Sequence, residues 1–376
     1  MYVAIIIAGM LLISSYVILI SLFITGWKKN RTYHSVPKPS GLWASVVVAV
    51  RNEEKNILTL LHCLHAQRYP DDHYEVIIID DFSSDQTPVL VNNFIADKDN
   101  FHLILSRSAD TKGKKAALER GIAKARGDII VTTDADCRME KDWLTTLLLP
   151  FVNSDTKLVI GPVTIEDGTR RLYSRLQTLE FMSLTGTAAG AAGCNHPIMC
   201  NGANLAFVKE ARKKVIHQVA GMQQASGDDV FLLHAFKRRY GTRIRFIKNT
   251  HALVYTNPAR TLREFFSQRV RWAGKSAAYN DRFTQMTGAV VAGLNIFIAL
   301  GGIASIGWPV LLPALLGILF LKLFIDSILL FQVARFLSRK MLLLWYPLLA
   351  IVYPYYVTST ILLALTTSTH WKKRIV

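Results

Sequence analysis

Residues 283–321 contain no charged side chain. A helix on the surface of a water-soluble domain shows a polar face, so a run of this length calls for an apolar medium. One bilayer crossing takes roughly 20 apolar residues as an α-helix, so the run suits two crossings. Gly301, Gly302 and the Trp308-Pro309 pair offer the break between them, which predicts helices over about 287–306 and 309–332. A last apolar run, about 342–367, is interrupted by Pro347 and Pro354. At the other end, residues 2–24 are uncharged and Lys28, Lys29 and Arg31 follow at once. A signal peptide would instead place basic residues before the apolar run and a small-residue cleavage site after it. The basic flank predicts an N-terminus outside and residue 28 onward in the cytosol of a cell-membrane protein.

These runs divide the chain into an N-terminal span (1–27), a cytosolic segment (28–282) and a C-terminal membrane region of about three helices (283–376). Arg335, Arg339 and Lys340 read as a cytosolic loop between spans. The tail Lys372-Lys373-Arg374 opposes that pattern, because three alternating crossings leave it outside. Either the charge rule fails there or the proline-broken segment re-enters without crossing. Lys322 and Asp326 lie four apart inside a predicted span. They form either a mutual ion pair that sets helices against each other or a functional pair.

Composition agrees with a membrane setting. Hydrophobic residues make up 51% of the chain, charged residues 19%, and the formal net charge is +17. A nucleic-acid binder would be basic without the long apolar runs, so nucleic acid is not an expected partner. An anionic substrate such as a nucleoside diphosphate suits the excess of Lys and Arg. Cys63, Cys137, Cys194 and Cys200 lack paired CxxC spacing and read as reduced cytosolic thiols.

Between the spans, residues 45–255 alternate strand-like and helix-like patterns. SVVVAV (45–50) is a run suited to a strand buried on both faces, and helical spacing follows over 56–67. EVIIIDD (75–81) is a second strand, leading to a helix at about 87–96 and a third strand at 102–105. A helix over 114–126 closes at Gly127, and DIIVTT (128–133) is a fourth strand. Such alternation implies an α/β fold with a mostly parallel sheet and helices on both faces. Ligands of such sheets bind beyond the carboxyl ends of the strands. Two strands end there in acidic pairs, Asp80-Asp81 and Asp134-x-Asp136.

Asp134 and Asp136 offer hard oxygen ligands for Mg²⁺ or Mn²⁺, which could also hold a nucleoside diphosphate. Two aspartates at a turn are commonly just solvated, so the pair is informative only in company. Lys112-Gly113-Lys114-Lys115 at a helix start places basic side chains and free N–H groups near the same phosphates. Asp81 could accept a hydrogen bond from a base N–H, such as that of uracil. No GxGxxG or GxxxxGK[ST] occurs, so dinucleotide and P-loop readings lack support. SGDDV (226–230) opens an amphipathic helix, where Asp228 and Asp229 either cap the helix or supply a general base. QRVRW (268–272) precedes the first C-terminal span as an interfacial anchor or as ligands for the diphosphate and the acceptor. Residues 184–193, rich in Gly and Ala, read as a membrane-grazing element or as close helix packing.

In this order the segments SVVVAVRNEE (45–54), VIIIDDFSSD (76–85), GKKAALERGI (113–122), TTDADC (132–137), CNGANLAFVK (200–209), SGDDVFLLHAF (226–236) and QRVRW (268–272) resemble family 2 glycosyltransferases of the GT-A fold. The resemblance covers about residues 43–275, and the membrane arrangement extends it to the whole chain. It implies that Asp81, beside Asp80, contacts the nucleotide base. Asp134 and Asp136 would serve nucleotide and metal, and Asp229 would be the catalytic base. Gln268, Arg271 and Trp272 match the QxxRW motif that closes over the diphosphate and borders the acceptor. The family's usual Glu-Asp pair is here Asp228-Asp229, which keeps the base and shortens its neighbour. The implied reaction is a single, inverting displacement from a nucleotide-sugar, a UDP-sugar by the reading of Asp81.

QxxRW occurs in cellulose, chitin and hyaluronan synthase-like enzymes and in ceramide glucosyltransferase-like enzymes. With about four spans the chain looks more like the second group, which adds one sugar to a lipid or lipid-linked acceptor. Four helices leave little room for a polymer channel. A processive synthase is the alternative, and a non-catalytic nucleotide-sugar-binding scaffold is a further one.

Overall fold

The computed structural model describes residues 2–30, 32, 41–106, 112–152, 155–166, 171–218, 228–276, 278–366, 370–371 and 374–375. Among residues on which expectations rest, Arg31, Ser226, Gly227, Lys372 and Lys373 lie outside them, as do the side chains of Asp228 and Arg374. The chain falls into two compact units. An α/β unit comprises residues 30–166 and 199–257, and a helical unit comprises 1–29, 167–198 and 258–376.

Helix α1 (Tyr2–Lys29) opens the chain. The α/β unit then runs β1 (Ala44–Val50), α2 (Ile57–His65), β2 (Tyr74–Asp80), α3 (Thr87–Ile95), β3 (Phe101–Leu105), α4 (Lys114–Lys124) and β4 (Ile129–Thr132). It continues with β5 (Arg138–Met139), α5 (Trp143–Val152), β6 (Leu158–Ile160) and β7 (Val163–Ile165). The 22-residue helix α6 (Leu172–Gly193) belongs to the helical unit. The α/β unit resumes with β8 (Leu205–Val208), α7 (Lys209–Lys213), α8 (Asp228–Tyr240), β9 (Ile244–Phe246) and β10 (Val254–Thr256).

Seven strands form the main sheet in the order β3-β2-β1-β4-β8-β6-β9. The four predicted strands lie together and parallel, and six of the seven β1 residues and all of β2 are buried. The mixed half begins at β8, which runs antiparallel to both β4 and β6. That reversal positions the site. Val50, Asp80 and Leu105 end their strands in register, while Thr132 stands level with Val47. Residues 133–136 therefore turn at the same rim as Asp80. Leu205, the first residue of β8, pairs with Thr132, so the segment leading into β8 arrives from that rim. A second sheet, β5-β10-β7, follows directly from the Asp134-x-Asp136 turn.

The helical unit contains α9 (Leu262–Ser276), α10 (Arg282–Ala304), α11 (Leu312–Phe336) and α12 (Tyr346–Thr366) besides α1 and α6. Among the described residues, four helical segments are long and apolar enough to cross a membrane: Tyr2–Lys29, Arg282–Ala304, Pro309–Phe336 and Lys340–Thr366. Helix α10 starts ahead of its apolar run because the Asp281 side chain caps it, accepting from the Thr284 N–H at 2.9 Å. Pro347 falls in the first turn of α12, where a missing N–H costs nothing, and Pro354 lies inside the helix. Residues 184–193 are the tightly packed end of α6. A Cβ on Gly26 of α1 would stand 1.9 Å from the Gly190 carbonyl oxygen, so small residues are required on both helices. Lys322 and Asp326 pair at 2.7 Å, and Asp326 also accepts from Tyr16 of α1 and Tyr346 of α12. The pair thus joins three helices.

Candidate active site

The expected donor-binding carboxylates stand on the rim of the α/β unit. Asp80 closes β2, buried, with Oδ2 accepting from the Ser83 N–H at 3.0 Å and Oδ1 without a hydrogen-bond partner among the described residues. Asp81 is buried and accepts the Gly113 N–H with both oxygens, at 2.9 and 3.1 Å. Gly113 has φ +113°, a conformation that excludes ordinary side chains, and it is the residue before α4. Asp81 thereby fixes the start of α4 over the rim. Lys112 lies over the Phe82 ring, 5.4 Å from its centroid. The loops after β1 and β2 are tied together as well. Asn52 accepts from the Ser84 N–H at 2.8 Å and donates its own N–H to Ser83 at 2.9 Å. Asn52 and Phe82 both take left-handed backbone, φ 52° and 58°, which is strain of the kind that gathers at functional rims.

From the first turn of α4, Lys114 pairs its ammonium with Asp134. Asp136 accepts from the Thr256 hydroxyl of β10 at 3.0 Å. Burial, and next the charge of Asp134, hold the Asp136 carboxyl above the usual range. Loss of hydration is the larger cause, and the second carboxylate beside it adds to the cost of ionising Asp136. Paired hard oxygen donors with a charge deficit fit Mg²⁺ or Mn²⁺. Among the described residues no group of three His, Cys, Asp or Glu could hold such an ion alone. A cation here would complete its shell with water and phosphate oxygens.

Asp229 lies in the first turn of α8. Its Oδ2 accepts the Gly202 N–H at 2.9 Å, and its Oδ1 accepts the Val230 N–H at 2.9 Å. The Gly202 carbonyl in turn accepts from the Thr132 hydroxyl at 2.7 Å. Through this chain the carboxylate of α8 is tied to the end of β4, the strand that leads into Asp134 and Asp136. Asn204 braces the same segment. Its amide donates to the Pro162 and Ala252 carbonyls at 2.8 Å each and accepts from the Trp143 indole at 3.1 Å.

Gln268, Arg271 and Trp272 belong to α9, in the helical unit. The buried partner within that motif is Arg269. Its guanidinium forms a two-pronged bond to Glu180 of α6 and donates to Gln268 at 2.7 Å. It also lies over the Trp272 ring, 4.2 Å from its centroid. Sequence reasoning passed over Thr132, Gly202, Thr256, Arg269 and Glu180. For Arg269 a signal existed: Phe265, Arg269 and Trp272 share one helix face at four- and three-residue spacing. The other four act through contacts distant in sequence and left none.

Residues 45–216 match the family described as glycosyl transferase family 2. A beta-monoglucosyldiacylglycerol synthase of Trichormus variabilis is 31% identical over 156 residues, 42% of this chain and 33% of that one. A poly-beta-1,6-N-acetyl-D-glucosamine synthase of Staphylococcus aureus is 30% identical over 251 residues, 64% of this chain and 56% of that one. The chain spans between a third and somewhat over half the length of the curated relatives it matches first. Among solved structures, a mannosyltransferase from Pyrobaculum calidifontis in complex with GDP-Man and Mn²⁺ aligns over 97% of this chain and 99% of its own. Its TM-score is 0.56 at 19% identity, a likeness of fold.

Proposed function

From the premise that residues 45–216 are a glycosyl transferase family 2 domain, we propose that this protein transfers a sugar from a nucleoside diphosphate sugar to a lipid or lipid-linked hydroxyl in a cell membrane. The observation that carries the proposal is the link from Asp229 through Gly202 to Thr132. It ties a carboxylate suited to a general base to the strand that leads into Asp134 and Asp136.

The nucleoside, a uridine by preference, occupies the rim beside Asp80 and Asp81. Lys114, in the first turn of α4, meets the diphosphate, and the positive end of that helix adds to the attraction. Asp134 and Asp136 would hold Mg²⁺ or Mn²⁺, which supplies charge neutralisation for the leaving diphosphate. Asp229 takes the proton of the acceptor hydroxyl as its oxygen attacks the anomeric carbon from the face opposite the diphosphate. The C–O bond to the diphosphate breaks, and the configuration inverts. Asp228 adjoins the base and is assigned to acceptor contacts. The assignment of Gln268, Arg271 and Trp272 to diphosphate and acceptor rests on their motif. The four apolar helices support a membrane setting, with the α/β unit in the cytosol and the acceptor supplied from the bilayer. A relative named a beta-monoglucosyldiacylglycerol synthase supports the lipid acceptor, and one named for a polysaccharide supports processive synthesis as the second reading.

Purified protein in lipid, supplied with candidate donors and acceptors, releases nucleoside diphosphate only with the true pair. A single product supports the lipid reading, and a ladder of lengths overturns it in favour of the polymer. Asp229→Asn lowers turnover by about 10²–10⁴-fold, the usual contribution of a general base, while donor binding persists. Normal turnover of that variant removes Asp229 from the role.

A further inference from the structure

A groove of about 760 Å³ opens in the helical unit, and none of the active-site candidates lines it. Leu323, Phe331 and Leu343 form apolar wall, while Lys28, Gln332 and Arg335 bring polar groups to it. Three contacts show how those cations come together. A Cβ on Gly9 of α1 would meet Ile318 of α11, the Tyr16 hydroxyl bonds Asp326 at 2.8 Å, and the Trp27 ring meets Phe336 edge-on at 5.7 Å. The offset between partners hardly changes along the pair, so α1 and α11 run parallel and in step. Lys28 then stands level with Leu337, and Arg335 lies within about 3 Å of rise along the axis. Both are in the last turn of their helices and both are exposed. By the charge rule both ends face the cytosol, where anionic lipid is concentrated.

Neither cation has an ion-pair partner among the described residues. Asp326, the carboxylate of α11, is already shared by Tyr16, Lys322 and Tyr346. Two like charges beside an apolar groove repel each other, and an anion placed between them removes that cost. The apolar walls require the same ligand to carry hydrocarbon. Basic pockets between membrane helices bind anionic lipid headgroups for this reason.

We infer that the groove is a binding site for an anionic phospholipid, whose phosphodiester lies between Lys28 and Arg335 and whose acyl chains cover Leu323, Phe331 and Leu343. A zwitterionic lipid brings its own cation and neutralises the pair less well. The inference rests on the reading of the four apolar helices as membrane spans. It does not depend on which lipid, if any, accepts the sugar, and its test reads occupancy rather than turnover.

The full chain, stripped of lipid in mild detergent, is titrated with phosphatidylglycerol or phosphatidylcholine, and retained lipid is counted by native mass spectrometry. One phosphatidylglycerol per chain is expected, favoured about 30-fold over phosphatidylcholine at the usual contribution of two membrane-surface cations. Lys28→Gln with Arg335→Gln brings the preference down to near unity. Arg282→Gln, at the start of α10 and outside the groove, leaves the preference intact. Equal retention of the two lipids overturns the site, as does a preference that survives the double substitution. An equal loss in Arg282→Gln reduces it to general surface charge. Displacement of the lipid by millimolar inorganic phosphate makes it an inorganic-anion site and overturns the lipid assignment.

Discussion

Glu180 in the helical unit and Asp136 in the α/β unit are carboxylates held largely away from water, and their surroundings differ oxygen by oxygen. Glu180 receives Arg269 on both oxygens and the Tyr356 hydroxyl at 3.4 Å. Asp326 is treated the same way, with Lys322 and two tyrosine hydroxyls. Asp136 accepts only from neutral groups among the described residues, the Thr256 hydroxyl at 3.0 Å and the Cys137 thiol at 3.9 Å, and burial, then a carboxylate neighbour, raises its pKa. Asp80, on the same rim, leaves Oδ1 without a partner among the described residues. Buried charge is costly unless paired, so the saturated acids act as joints between helices. Acids left short of positive charge mark where a cation and a ligand complete the structure.

The sharpest way to break this contrast is to remove an acid from each unit. Asp136→Asn should lower turnover by a hundredfold or more, as loss of a charge-stabilising group commonly does. The unfolding temperature of the same variant, measured in chelator, should stay level or rise, because an uncompensated charge has gone. A clear loss of stability there would place Asp136 among the joints. Glu180→Gln should do the opposite at the level of the fold, costing about 3–5 kcal/mol by leaving Arg269 buried without its counter-ion. Denaturant unfolding in detergent measures it, and Glu180→Met combined with Arg269→Met should recover much of the loss. Gly26→Val should cost about 1–3 kcal/mol by overpacking against Gly190. An unchanged unfolding midpoint in detergent would show that the close approach of α1 and α6 is not required. The smallest effect is expected from Thr132→Val. It removes one hydrogen bond, about 1 kcal/mol of stability, yet turnover should fall further than that loss explains because Asp229 is held through it. A proportional loss of both would leave Thr132 a purely structural residue.

Much of this architecture was legible along the chain. The strands β1, β2, β3 and β4 announced themselves as short apolar runs, and two of them ran straight into acids. The apolar helices followed from length and the absence of charge, and Lys322 with Asp326 followed from four-residue spacing. The antiparallel β8 was not legible. Its core, LAFV, is four residues long and apolar in any orientation, and its direction follows from pairing with β4 and β6. Likewise QRVRW drew attention to Arg271, while the buried ion pair belongs to Arg269, whose partner Glu180 lies 89 residues away.

The sequence by itself determined the parallel strand–helix frame, the acids at its carboxyl edge and the four apolar helices, because each is written in residues close together. Local periodicity and charge suffice for such features. Only the tertiary structure decided that Asp229 is tied to Thr132 through Gly202, that Asp136 rests on Thr256, and that Lys28 and Arg335 end in step. Those relations depend on strand direction and helix register, which arise when distant segments pack and which no stretch of sequence encodes alone.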